Sequence, residues 1–184
     1  LLKEKTKRGI EGQWLSTTSI NIAENDEALE AMAESEGRVV LIGLESLIPE
    51  VLQEMNKVVN LNYAKRFAKG DIEKAYKRAI DKFHEHGIAV VGSFIFGYDD
   101  EPDNIGYRTG EFIINSGLDA YTYFIARPHP GTPLFNRMNA AGRLLHTDFP
   151  GDWSLYNTKR LLIQVDRDAR LFLSDVEQCV DIAS

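Results

Sequence analysis

Apolar residues in this chain come in short runs separated by helical stripes, and the alternation repeats along most of its length. Residues 14–23 (WLSTTSINIA) alternate and are rich in β-branched side chains, which predicts a strand ending near Asn21. Asn25 or Asp26 can cap a following helix whose Ala28, Leu29, Met32 and Ala33 form one apolar stripe, closing at Gly37. Residues 39–43 (VVLIG) read as a buried strand. Pro49 and Glu50 then suit the first turn of another helix. Residues 56–70 are polar, basic and weakly patterned, which predicts a loop with at most a short helical turn. Asp71 caps the most legible helix, where Ile72, Ala75, Tyr76, Ala79, Ile80 and Phe83 share one face and Gly87 ends the run.

The stretch 90–101 (VVGSFIFGYDDE) organises the rest. Its apolar run is too short for a globular helix and is apolar on both faces, which suits a strand of a parallel sheet covered on both sides. It stops at Gly97, and Tyr98, Asp99, Asp100 and Glu101 bring polar groups to the end where α/β folds build sites. Asp103 or Asn104 starts a helix packing through Ile105, Phe112 and Ile113 up to Gly117, and residues 120–126 form the next strand. Pro130–Gly131 suits a tight turn and Thr132–Pro133 a helix start, with the helix over 134–145 interrupted near Gly142. Residues 148–157 read as a turn-rich link with Trp153 and Tyr156, 160–165 as an edge strand and 169–182 as a final amphipathic helix. Alternating strands and helices predict an α/β fold, either consecutive units of a TIM-like (β/α) barrel or an open parallel sheet. The expected division is the end of a helix over 1–13, the partial barrel over 14–147, and a linker with helical extension over 148–184.

Composition narrows the function. The 184 residues, 43% of them hydrophobic, support a real core. A net charge of −7 argues against capture of nucleic acid or anionic membrane, and no apolar run approaches the ~20 residues that span a bilayer. The single cysteine, Cys179, excludes an internal disulfide framework and any multi-cysteine metal site, and fits a reducing, cytoplasmic compartment. Leu1 in place of Met leads us to expect a true start upstream.

Parallel strands put their carboxyl ends on one side, so Asn21, Glu45 with Ser46, Tyr98 with Asp99 and Asp100, and Arg127 with His129 should converge. Each has an ordinary alternative: Asn21 can bond neighbouring backbone, Glu45 can pair with Lys57, Arg127 with Asp99 or Asp100. Together they favour a small-molecule site. The carboxylates could hold a ribose or an amino group, and the arginine a carboxylate or phosphate.

GLES at 43–46, GSFIFGYDDE at 92–101 and PHPGTPLF at 128–135 resemble the second half of a radical S-adenosylmethionine (radical SAM) core domain. SINIAENDEALEAMAESE, HEHGIAVVGSFIFGYD and GDWSLYN are similar to its cobalamin-binding-domain subgroup, which includes the anaerobic oxidative cyclase of magnesium-protoporphyrin ester. The resemblance implies strands three to six of a partial (β/α)₆ barrel. It also implies an oxidoreductase that, when intact, uses a 4Fe-4S cluster to cleave S-adenosylmethionine to a 5′-deoxyadenosyl radical.

By position, Ser93, Ile95, Gly97 and Asp100 correspond to the family's GxIxGxxE strand, whose aliphatic residue packs on adenine. Glu45 and Ser46 fall where ribose and methionine are contacted, Ala126 and Arg127 where the last strand closes over adenine, and Asn21 at a strand end facing substrate or methionine. No CxxxCxxC occurs, so the cluster ligands are not in this chain, and alone it should not do radical chemistry. The subgroup implies a cobalamin domain upstream. Two rivals remain: a conventional barrel enzyme using Glu45, Asp99 or Asp100 and His129 as acid–base groups, and a non-catalytic interaction module. An open half-barrel also exposes strand edges and invites self-association.

Overall fold

Four strands carry the structure, a computed structural model that describes residues 2–157 and 160–183. They are β1 (Trp14–Thr18), β2 (Gly37–Glu45), β3 (Ala89–Phe96) and β4 (Ala120–Ile125), paired in that order and parallel throughout. The expected partial (β/α) barrel is thus present: every connection is a crossover, and adjacent strands in space are consecutive in the chain. Leu1, on which the expectation of an upstream start rests, lies outside the described residues.

The helices are α1 (Leu2–Arg8), α2 (Asp26–Glu34), α3 (Pro49–Glu54), α4 (Val58–Ala68), α5 (Ile72–Glu85), α6 (Ile105–Ser116), α7 (Pro133–Ala140) and α8 (Ala169–Ala183). Side-chain oxygens cap three of them as the sequence predicts: Asn25 accepts from Ala28 N–H, Asp71 from Lys74 N–H and Thr132 from Phe135 N–H. The apolar stripe of α5 is wholly buried, from Ile72 to Phe83. Each large side chain there stabilises the fold by about 1.5–3 kcal/mol. Phe112 of α6 meets Tyr76 of α5 and Phe94 of β3 edge-on, at centroid distances of 6.1 and 6.3 Å, closing the layer between sheet and helices.

Period-two burial divides the sheet. Val40, Ile42, Leu44, Val90, Phe94 and Phe96 point to the helices and are essentially inaccessible. On the opposite face Val39, Leu41, Val91 and Ile95 are only half-buried, and Leu15 is 74% exposed. The expectation that β3 is covered on both sides is therefore corrected: four strands do not close a barrel, so among the described residues nothing closes over the axis-facing side.

Four boundaries differ from the pattern. β1 stops at Thr18, and Asn21 lies on a 3₁₀ turn, Ile20–Glu24. The expected loop at 56–70 is the eleven-residue α4, whose inner stripe is Asn60, Tyr63 and Ala64. An asparagine in that stripe hides it from a hydropathy reading. α2 ends at Glu34, and Gly37 opens β2 instead of closing the helix. The expected edge strand at 160–165 is a single antiparallel bridge, Leu144 to Ile163.

The carboxyl-terminal segment is bound to this frame by α8 packing on α6. Asp175 of α8, itself buried, accepts from the N–H groups of Gly106 and Tyr107 at 2.6 and 3.1 Å, satisfying the open first turn of α6. A Cβ on Gly106 would run into the Asp175 carbonyl. We expect Gly106→Ala to force the two helices apart and lower unfolding free energy by about 1–3 kcal/mol, read as a urea midpoint shift; an unchanged midpoint would refute this contact.

Candidate functional site

The carboxyl end of β2 is where the backbone departs from regular pairing. Register with β3 breaks between Gly43 and Glu45, and Glu45 has φ of 66°, a left-handed conformation rare outside glycine. The break leaves carbonyls without strand partners, and a buried polar pair behind the sheet takes them. Asn60 Nδ2 donates to the carbonyls of Gly43 and Leu44, at 3.1 Å each, and reaches Tyr76 Oη at 2.9 Å. Tyr76 Oη is shared between the Leu44 and Ser46 carbonyls at 2.6 and 3.2 Å. Burial raises the Tyr76 phenol well above its ordinary range, so it remains a donor.

This bulge throws the Glu45 side chain to the open face, where it pairs with Lys57 Nζ at 2.6 Å. The carboxylate folds back over Gly43, whose missing side chain leaves room for it. Glu45, Lys57, Asn60, Ser93, Thr17 and Thr18 line a cleft of about 380 Å³. Ser46 faces away from it: its Oγ accepts from Ile48 N–H at 3.1 Å and starts the turn into α3.

A second cleft, about 260 Å³, opens over the ends of β3 and β4 and is lined by Ile95, Tyr98, Phe124, Ala126, Arg127 and His129, among others. Ile95 follows Ser93 by two residues on the same face, so the clefts adjoin along β3. Arg127 donates to the Tyr156 carbonyl at 3.4 Å and lies over the Phe124 ring at 5.6 Å, while its Nε is buried with no acceptor among the described residues. Burial pushes the Tyr98 phenol up to about 12.

Behind the rim, Glu101 fixes the end of β3. Its Oε2 accepts from Gly97 N–H at 2.9 Å and from Arg167 Nη2 at 2.7 Å. Arg167 Nη1 donates to the carbonyls of Glu101 and Pro102, and its guanidinium covers the Phe172 ring at 4.8 Å. The Glu101 side chain is fully shielded, and burial drives its carboxyl up to about 7, against the pull of Gly97 and Arg167. Its Oε1 has no donor among the described residues and is the oxygen left to carry a proton. Asp100, aligned by position with the family glutamate, is exposed; Glu101, one residue on, is the one that grips Gly97.

The rim therefore gathers Glu45, Ser93, Ile95, Gly97, Ala126 and Arg127. Glu45 borders one cleft and Ile95 with Arg127 the other, rather than all three sharing a single pocket. Asn21 is exposed on its turn and lines neither. The predicted Glu45–Lys57 pair forms. Arg127 does not take Asp99, which is held bidentately by Arg143 at 2.6 Å on both arms. Glu54 is likewise paired, with Arg137. Asn60 and Arg167 were not singled out from sequence, and Tyr76 was read there only as part of the apolar face of its helix. Nothing in a hydropathy pattern marks an asparagine that caps a bulge.

No family model matches the chain. It is 30% identical to the bacteriochlorophyllide d C-12(1)-methyltransferase of Chlorobaculum tepidum over 89% of its length, and covers 32% of that protein. The hopanoid C-2 methylase of Rhodopseudomonas palustris is 27% identical over 80% of the chain, which covers 26% of it. The C. tepidum bacteriochlorophyllide d C-8(2)-methyltransferase is 24% identical over 81% of the chain, which covers 30% of it. This chain thus spans about a third or less of the curated relatives it matches. Among solved structures, the radical S-adenosylmethionine methyltransferase TsrM of Kitasatospora setae, with cobalamin and a [4Fe-4S] cluster bound, superposes with a TM-score of 0.56 at 15% identity. The match covers 76% of this chain and 26% of TsrM. The fold is accordingly that of part of a radical SAM barrel, and the similar sequences are methyltransferases.

Two outcomes follow from this geometry. Asn60→Ala removes the donor to two buried carbonyls, and we expect a loss of about 2 kcal/mol in urea unfolding, with Asn60→Asp unable to restore it. Glu101 has a folded value near 7 against an ordinary 4.5, so its contribution to stability is complete below pH 4.5 and disappears as pH rises through 7. The unfolding free energy of Glu101→Gln should be flat over that window where the parent falls; parallel profiles would refute the assignment.

Proposed function

We propose that this chain is the carboxyl-terminal part of the catalytic barrel of a cobalamin-dependent radical SAM methyltransferase, with its rim clefts binding the nucleoside portion of S-adenosylmethionine. One observation carries the reading. At a single rim of an all-parallel sheet, an aliphatic floor (Ile95, Ala126) lies beside an arginine, and a shielded carboxylate (Glu45) lies one cleft away.

The residues fit such a ligand. Ile95, Phe124 and Ala126 offer an apolar wall for a purine, while Glu45, backed by Lys57 and Ser93, offers acceptors and donors for ribose hydroxyls and a charged amino-acid end. S-adenosylmethionine would supply the methyl group. The chain's own part is to orient the nucleoside and, through the Asn60–Tyr76 pair, to hold Glu45 in its left-handed conformation.

A cluster does not fit here. Cys179 is fully buried on α8 with its thiol pushed up to about 11, and no group of three or more metal-ligating side chains occurs among the described residues. Cluster and cobalamin ligands would belong to the rest of a longer protein. The similar sequences favour methyl transfer in place of oxidative cyclisation. The names of two of them make an extended conjugated ring a reasonable methyl acceptor. The acid–base rival is weakened by placement: Glu45 and His129 border different clefts, and Asp99 is bound to Arg143. Among the described residues no helix is long and apolar enough to cross a membrane.

The test uses the full-length protein, purified and reconstituted without oxygen. We expect it to bind S-adenosylmethionine, and Ile95→Asp to abolish that binding, by about 100-fold or more, since a carboxylate would be desolvated against the purine. Equal dialysis binding by a folded Ile95→Asp protein would retire the site. Transfer of isotope from methyl-labelled S-adenosylmethionine to a chlorin acceptor would identify the reaction; label found only in methionine would count against it.

A further inference from the structure

The link that follows α7 carries a cluster of aromatic rings. Phe149 lies 5.0 Å from Trp153, 5.6 Å from Tyr156 and 6.2 Å from Phe135, centroid to centroid, and Trp153 lies 6.1 Å from Tyr156. A satellite core would hide its largest ring. Here the reverse holds. Tyr156 is buried, with its hydroxyl on the His146 carbonyl at 2.9 Å, whereas Trp153 is 47% exposed and Phe135 and Phe149 are half-buried.

The cluster also adjoins the rim. His129 borders the cleft over β3 and β4, and its ring lies 6.2 Å from that of Tyr156. Arg127, in the wall of the same cleft, is tied to the Tyr156 carbonyl. The rings meet at interplanar angles of 46–61°, so Trp153 presents the one exposed face while Phe135, Phe149 and Tyr156 brace it, and the cation beside the cluster selects for negative charge.

We propose that Trp153, braced by Phe149 and Phe135, is the stacking shelf for a flat, extended conjugated acid, with Arg127 on its carboxylate side, so that the methyl acceptor is held next to the nucleoside clefts. This rests on the methyltransferase reading; Phe135, Phe149 and Trp153 are residues that reading does not use, and Arg127 is shared with it. Stacking supplies area without direction, and Arg127 sets which edge of the ring system enters first. Trp153 is then a specificity-determining residue: it separates polycyclic from aliphatic acids.

The experiment titrates full-length protein with protoporphyrin IX as the probe, followed by its Soret band, alongside dialysis binding of S-adenosylmethionine. We expect Trp153→Ala to weaken porphyrin binding about tenfold and Trp153→Phe to hold it within about threefold. Binding of S-adenosylmethionine should stay unchanged in both, which also certifies the fold. Porphyrin binding that ignores Trp153→Ala, or is absent where S-adenosylmethionine binds, overturns the shelf and leaves the nucleoside site standing. Trp153-dependent porphyrin binding without S-adenosylmethionine binding does the opposite.

Discussion

The ends of parallel strands leave backbone groups that no neighbouring strand can pair, and the structure is organised around satisfying them out of reach of water. At β2 the carbonyls of Gly43 and Leu44 go to Asn60 and Tyr76; at β3 the Gly97 N–H goes to Glu101. In both places the partner is a buried polar side chain, delivered to β2 by α4 and α5 and to β3 by the turn that follows it. The same arrangement decides which side chains reach the open face. Glu45 arrives there only because its own backbone is turned left-handed by the bulge that Asn60 and Tyr76 stabilise.

Glu101 extends this coupling to the carboxyl-terminal segment. Arg167 binds its side chain, its carbonyl and the next carbonyl, and packs on Phe172 of α8. α8 in turn supplies Asp175 to the start of α6. The chain after the last strand is therefore not an appendage. It locks the rim from outside, where a guanidinium and a backbone donor offset only part of what burial costs the Glu101 charge.

The axis-facing side of the sheet is the counterpart of this closed side. Leu15, Val39, Leu41, Val91 and Phe124 share it and retain access to solvent, whereas Val40, Ile42, Leu44, Val90, Phe94 and Phe96 on the helix-facing side of β2 and β3 have almost none. The relatives, of which this chain covers about a third or less, have chain to spare for that face. The clefts lie where this open side meets the rim, so anything bound in them contacts strand-end residues from β2, β3 and β4 together.

What the sequence determined by itself was whatever depends on local pattern. The 3.6-residue stripe of α5, the caps at Asn25, Asp71 and Thr132, the short β-branched runs and the crossover order were all legible, and with them an all-parallel α/β sheet with Glu45, Ile95 and Arg127 at one rim. Tertiary structure alone decided the rest. α4 reads as a loop because its inner stripe carries Asn60, an amide whose use depends on carbonyls sixteen and seventeen residues earlier. Glu101, not Asp100, holds Gly97 because the turn between them sets the reach, and Arg143 claims Asp99 from forty-four residues away. Local pattern reports which residues avoid water; it carries no record of which buried donor meets which acceptor, since that pairing exists only once distant segments are packed.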